Sequence, residues 1–215
     1  MQTSTVNTLI AARRVVEFSI ERGVFLQHWP IRHIYDHMGA VIADSILQSG
    51  LNYKTVVRPR VMEILERFPE KSTTSTLVSL VERGETSAFL NWTHHQKIER
   101  FIRTVHFLSE MEIETTHDLH DQLATKQFGF ELQSLKGIGP KTVDYMACLV
   151  GVDSIAIDRH VRSFAKRTGI GSDDYYFLQK VFCYAADLLE LSRRDFDSWI
   201  WRNESSHKAQ TIAQF

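Results

Sequence analysis

The chain reads as an all-α protein. Apolar residues recur every three to four positions along most of its 215 residues. Its four prolines and ten glycines punctuate these stretches rather than fill them, and no apolar–polar alternation runs long enough for a sheet. Residues 5–22 predict a first helix with Leu9, Ala12, Val16 and Ile20 on one side, ended by Gly23. Residues 24–30 form a connection. Residues 31–48 predict a second helix with Ile34, Met38, Val41, Ile42 and Ile46 in its apolar set, and Gly50 breaks it. A third spans 54–67, with Pro59 either kinking it or sitting in its first turn. Two short helices, 72–82 and 85–91, are split by Gly84. Residues 95–110 are strongly amphipathic, with Ile98, Phe101, Ile102, Val105 and Leu108 at helical spacing. A short helix opens at Thr116, and 127–134 leads into Leu135-Lys-Gly-Ile-Gly-Pro-Lys141. A helix over 140–150, an apolar connector over 152–157, and helices over 159–168, 173–191 and 194–203 complete the set. Residues 204–215 are expected to be disordered or loosely packed.

Hydrophobic residues make up 43% and charged residues 24%, as in soluble globular proteins, and the length allows one large domain or two small ones sharing a core. No run of about 18 apolar residues exists, so no membrane span is expected. The N-terminus lacks the charged-then-apolar pattern of a secretory signal. A cytoplasmic, nucleoid-associated or nuclear protein, not a secreted one, is the expectation. Cys148 and Cys183 lie in apolar helical contexts and read as buried free thiols. Two cysteines cannot supply a four-cysteine zinc or iron–sulfur site. The net charge of −1 speaks weakly against a nucleic-acid partner. Residues 136–170 nevertheless carry Lys136, Lys141, Arg159, Arg162, Lys166 and Arg167 against Asp144, Asp153 and Asp158.

The segment Leu135–Lys141 is the most informative. Gly137 and Gly139 permit a tight turn with positive φ and leave backbone amides uncovered. Ile138 between them can pack inward, and Pro140 suits the first position of the next helix. Amides around Gly139 and the helix start then form a phosphate site strengthened by the helix dipole. A plain glycine C-cap followed by a proline helix start is the competing reading. Lys141 falls in the first helical turn, where the dipole disfavours its ammonium form, and a lysine so perturbed can act as a nucleophile. Seventeen residues later Asp158 follows an apolar connector and opens a helix. It is an ordinary N-cap, or a carboxylate that stabilises a cationic sugar and takes a proton from Lys141.

Leu135-Lys-Gly-Ile-Gly-Pro-Lys-Thr-Val-Asp-Tyr followed by Ile155-Ala-Ile-Asp-Arg-His-Val-Arg resembles the helix-hairpin-helix–Gly/Pro–Asp superfamily of DNA glycosylases. The resemblance extends more weakly over 31–203. It implies two helical subdomains with a cleft between them: 31–151, six helices ending in the helix-hairpin-helix, and 1–30 with 152–215. A lysine at 141 is similar to endonuclease III and the 8-oxoguanine glycosylase/lyases. There the lysine attacks C1′ of a flipped nucleotide, forms a Schiff base and promotes β-elimination, with Asp158 assisting. The implied partner is double-stranded DNA with a damaged, oxidised base, bound by a monomer. No cofactor is required and no iron–sulfur cluster is expected. Carbonyls of Gln133, Leu135 and Ile138 correspond to those that hold a sodium or potassium ion bridging to phosphate.

A base inside a duplex must be flipped out and its gap filled. The loops 48–53 and 91–95 are candidates for that task. The expected DNA-contacting residues are Lys136, Gly137, Ile138, Gly139, Thr142, His160, Asn52, Trp92 and His94. Asn52 is placed to bond the orphaned base, and His160 a phosphate. Tyr145 and Leu149 follow Lys141 on one helical face and are expected in the base pocket. Ordinary loop, core or helix-surface roles remain open for Trp92, Leu149 and His160. The alternatives are a monofunctional glycosylase with an Asp158-activated water, a non-catalytic DNA-binding protein, and a helical scaffold.

Overall fold

The structure is a computed structural model that describes the backbone of residues 2–25 and 34–212 and the side chains of 5–25 and 34–205. Residues 31–33 of the expected second helix and the terminal Phe215 lie outside the described residues. All regular structure among the described residues is helical: α1 (Gln2–Glu21), α2 (Met38–Leu47), a π-helical turn (Tyr53–Val57), α3 (Arg58–Arg67), α4 (Thr74–Glu82), α5 (Thr86–Phe89), α6 (His95–Glu110), α7 (Thr116–Leu123), α8 (Lys126–Leu132), α9 (Pro140–Leu149), α10 (Arg159–Arg167), α11 (Tyr175–Leu188) and α12 (Arg193–Ile212). The chain divides into two compact units, Met1–Arg32 with Asp153–Phe215, and His33–Val152. No described helix is long and apolar enough to cross a membrane.

The unit His33–Val152 is built around α2. All ten of its residues are buried, as a helix apolar on every side requires, and it packs on α3, α4, α6 and α9. Its start is fixed by side-chain chemistry. His37 Nδ1 accepts from the Ala40 N–H at 3.1 Å, which leaves Nε2–H to donate to the Phe68 carbonyl at 2.9 Å. Gly39 is required here because a Cβ would lie 2.7 Å from the Phe89 ring and 3.0 Å from the Lys71 carbonyl. The expected second helix therefore begins later than residue 31 suggests. Ile34 is exposed in an extended segment before it. Pro59 sits in the first turn of α3 and does not kink it. Capping boxes at Thr73/Thr76 and Thr115/Asp118 start α4 and α7. In the second box, hydrogen bonds from the Thr115 backbone and hydroxyl hold the Asp118 carboxyl below its ordinary range.

In the other unit α1 packs on α11, and α12 on α10 and α11. The core centres on Phe164, Phe182, Phe196 and Trp199. Phe164 meets Trp199 edge-on at 5.5 Å, and Phe196 stacks on Trp199 at 5.9 Å. Each such ring contributes roughly 1.5–3 kcal/mol by leaving water. The inward face of α1 differs from the expected one. Thr8, Ala11, Ala12, Val15 and Ser19 are buried, while Leu9 and Ile20 are exposed. Helix α12 also runs past residue 203 to Ile212, so the loose tail expected from 204 onward is helical as far as that residue. Glu204 is buried, accepts from Ser163 Oγ at 2.7 Å and is paired with Arg167.

Candidate functional site

The turn between α8 and α9 is closed by the Ile138 N–H donating to the Leu135 carbonyl at 2.9 Å, with the Ile138 side chain buried. Gly137 has φ +90°, and the Arg100 guanidinium from α6 fills the space its Cβ would need. Gly139 departs from expectation. Its φ is −104°, extended backbone open to any residue, and it serves as N-cap of α9 ahead of Pro140. Its carbonyl receives the N–H groups of Thr142 and Val143 at 2.9 and 3.2 Å. The N–H groups of Lys136, Gly137 and Gly139 find no acceptor among the described residues. With Lys136 exposed and Arg100 packed against the turn, these donors make a cationic, amide-rich surface. The Gln133, Leu135 and Ile138 carbonyls are hard oxygen donors suited to an alkali cation; Leu135 already spends one lone pair on Ile138.

Lys141, half-buried in the first turn of α9, donates from Nζ to Gln48 Oε1 at 3.3 Å. Gln48 is the C-cap of α2. Beside it Lys97 of α6 donates to the carbonyls of Ile46, Leu47 and Ser49 at 2.9, 3.2 and 2.9 Å. A cation at the negative end of a helix is well placed. Burial, and then the neighbouring charges of Arg100 and Lys141, nonetheless push the Lys97 amine down to about 8.

One turn before Gln48, Asp44 is fully buried in the middle of α2. Three phenols converge on its carboxylate. Tyr145 donates to Oδ1 at 3.1 Å, and Tyr35 and Tyr53 donate to Oδ2 at 3.1 and 3.3 Å. The acceptor-only carboxylate thus receives the donors its burial demands. Burial first, and then the Asp44 charge, drive the Tyr35 hydroxyl well above its ordinary pKa and raise that of Tyr53.

Asp158, half-buried, is the N-cap of α10. Its Oδ1 accepts from the N–H groups of His160 and Val161 at 2.7 and 3.0 Å, and Oδ2 takes no hydrogen bond among the described residues. The cap fixes one oxygen of the carboxylate. His160 is buried with its ring 5.8 Å from that of Trp201 and accepts from Arg159 Nε at 3.4 Å, which removes it from the surface a phosphate would approach.

The remaining expected residues fall as follows. Tyr145 belongs to the Asp44 cluster, and Leu149 is core, its carbonyl taking the Tyr35 N–H at 3.0 Å. Asn52 is exposed but caps the π-helical turn through Oδ1, accepting from the Thr55 N–H at 3.1 Å. Trp92 lies half-buried under the Arg60 guanidinium, 5.2 Å from its ring centroid. Arg60 also donates to the Asn91 and Val56 carbonyls at 3.0 and 2.8 Å, which ties the loop 91–95 to the turn that precedes α3. His94 and Thr142 flank helix starts, His94 exposed and Thr142 half-buried. Asp44, Tyr35, Lys97, Arg60 and Arg100 were not singled out by sequence as site residues, and Gln48 and Tyr53 entered only as the ends of the candidate loop 48–53. An aspartate inside the predominantly apolar stretch 38–47 was the available signal, because a buried charge needs partners.

The basic excess of residues 136–170 is partly offset by acids from outside it. Arg162 and Lys166 lie 3.6 and 3.8 Å from Asp173, and Arg167 pairs with Glu204. Cys148 and Cys183 form no disulfide, and Cys148 is buried and Cys183 half-buried. No protein-family model matches the chain, and no curated protein does so either.

Proposed function

We propose that the chain is a DNA glycosylase with abasic-site lyase activity, acting on a damaged, oxidised base in double-stranded DNA. The observation that carries this reading is Lys141. A half-buried amine stands in the first turn of a helix entered through a glycine turn whose N–H groups are unspent. In this reading α8, the turn and α9 are a helix-hairpin-helix that grips a phosphate of the strand. The base to be removed must leave the duplex stack before its glycosidic bond can be reached.

The neutral Lys141 amine attacks C1′ as the glycosidic bond breaks. The bond's electron pair leaves with the base, which takes up a proton. Opening of the sugar ring then gives a protonated imine between Lys141 and C1′. Removal of a proton from C2′ expels the 3′ phosphate, and water later hydrolyses the imine. Asp158, with Oδ1 held by the α10 amides, offers Oδ2 to the developing cation and to the lysine proton. An alkali cation, where bound, would be held by the Gln133, Leu135 and Ile138 carbonyls and would neutralise phosphate charge there. Gly137, Gly139, Lys136 and Arg100 contact the same backbone.

Borohydride trapping on a duplex with an abasic site tests the reading. The chain is expected to form a covalent adduct that Lys141→Gln abolishes. Absence of an adduct on abasic and lesion-bearing duplexes overturns the lyase assignment. Base release without strand cleavage would instead select the monofunctional mechanism, with water activated by Asp158.

A further inference from the structure

Lys141 does not stand in a uniform field. From α6 comes the charge of Lys97, which Lys141 opposes and which opposes it in return. From α2 comes Gln48, whose Oε1 accepts from Nζ at 3.3 Å and favours the charged form. Asp44 lies one turn earlier on α2 with its carboxylate taken up by tyrosines, Tyr145 among them. Lys136 on the turn and Asp144 on α9 are the nearest charged residues in sequence.

We propose that Gln48 is a positioning residue for the Lys141 amine, holding its Nζ by a side-chain carbonyl and biasing it toward the ammonium form against the neighbouring Lys97 charge. The role of that amine as nucleophile rests on the function proposed above; the pairing itself does not. A neutral amine can still donate one N–H to Oε1, and its lone pair then points away from Gln48. Gln48 thereby sets both how much nucleophile exists at a given pH and where it is aimed.

Gln48 can be altered without dismantling α2. Its cap contribution is a backbone one, the N–H donating to the Asp44 carbonyl at 3.1 Å. Gln48→Met keeps the length and removes the acceptor. Gln48→Glu keeps the length and puts a carboxylate there. The two variants bracket the wild type in opposite directions, which a merely structural role does not produce.

The Lys141 amine pKa is measured in the DNA-free protein by pH-dependent competitive acetylation, read at Lys141 by mass spectrometry. Gln48→Glu is expected to raise it by about one pH unit and Gln48→Met to lower it. At pH 7 a one-unit change alters the neutral fraction, and so the adduct rate, about tenfold. In borohydride trapping on abasic DNA, the pH profile should move alkaline for Gln48→Glu and acidic for Gln48→Met. Unchanged Lys141 pKa values in both variants, or shifts of the same sign, overturn the proposal. Opposite shifts in acetylation with no adduct from any of the three proteins would sustain the Gln48–Lys141 pairing and overturn the lyase reading alone.

Discussion

Tyr145 donates its phenol to Asp44 Oδ1 at 3.1 Å, one helical turn from the contact of Lys141 with Gln48. The two contacts are rungs between α2 and α9, four residues apart on each helix and running in opposite senses. The helix that carries Lys141 is thus registered on the fully buried helix at the centre of its unit.

That register depends on Asp44. Asp44→Ala leaves three phenols without their acceptor in a buried site and opens a cavity. Each effect costs on the order of 1–3 kcal/mol, so a loss of about 3 kcal/mol is expected. Asp44→Asn keeps the volume and one carbonyl acceptor but sets N–H donors against phenols, and is expected to lose about half as much. Urea unfolding at neutral pH measures both. An Asp44→Ala midpoint within error of the wild type would show that the cluster does not hold the helices together.

Asp158 carries two roles that substitution can separate. Asparagine caps a helix as well as aspartate does, so Asp158→Asn is expected to leave stability within about 0.5 kcal/mol while sharply lowering base release. Asp158→Ala removes the bonds to the His160 and Val161 N–H groups and should cost about 1 kcal/mol in addition. Thermal unfolding and a single-turnover release assay, run on the same preparations, give the comparison. Undiminished base release by Asp158→Asn contradicts its assigned role.

Lys97 and the tyrosines predict a stability profile with a maximum on the alkaline side. Burial and its cationic neighbours lower the Lys97 amine to about 8 in the folded chain. The unfolded chain therefore holds more protons between there and the ordinary lysine value of about 10.4, and stability from this group rises with pH across that window. Tyr35 and Tyr53 act oppositely. Their raised values keep them protonated when the unfolded chain ionises, so stability falls as pH passes about 10. The melting temperature is expected to gain between pH 8 and 10 and decline above. Lys97→Met should flatten the gain and leave the decline in place.

Much of the helical order was legible because its signals are local. Helix α6 occupies His95–Glu110, the span its apolar periodicity marks, and α9 starts at Pro140, where the proline dictates. The failures have physical causes. The inward face of α1 is made of Thr8, Ala11, Ala12, Val15 and Ser19, whose small side chains give the pattern little amplitude; Ser19 satisfies its hydroxyl on the Val15 carbonyl at 2.7 Å. The bulkier Leu9 and Ile20 misdirect the reading. The π-helical turn at Tyr53–Val57 is set by hydrogen bonding that no apolar spacing reveals. Lys141 announced itself by its turn, but Gln48 lies 93 residues away and Tyr145 lies 101 from Asp44, so those pairings are properties of the packed unit.

The extension of α12 is the last long-range effect, and it can be tested through Glu204. Its carboxylate is 1% exposed, bonded to Ser163 and paired with Arg167, whose guanidinium also lies 5.1 Å from the Phe18 ring centroid. Three segments of the chain therefore meet at one buried charge. Glu204→Ala leaves Arg167 with its counter-charge removed, a loss of about 3 kcal/mol. Glu204→Gln preserves an acceptor for Ser163 and should lose less. Chemical denaturation supplies the energies, and helix content by circular dichroism reports on α12. A Glu204→Ala protein as stable as the wild type would mean that the end of α12 does not depend on this pair.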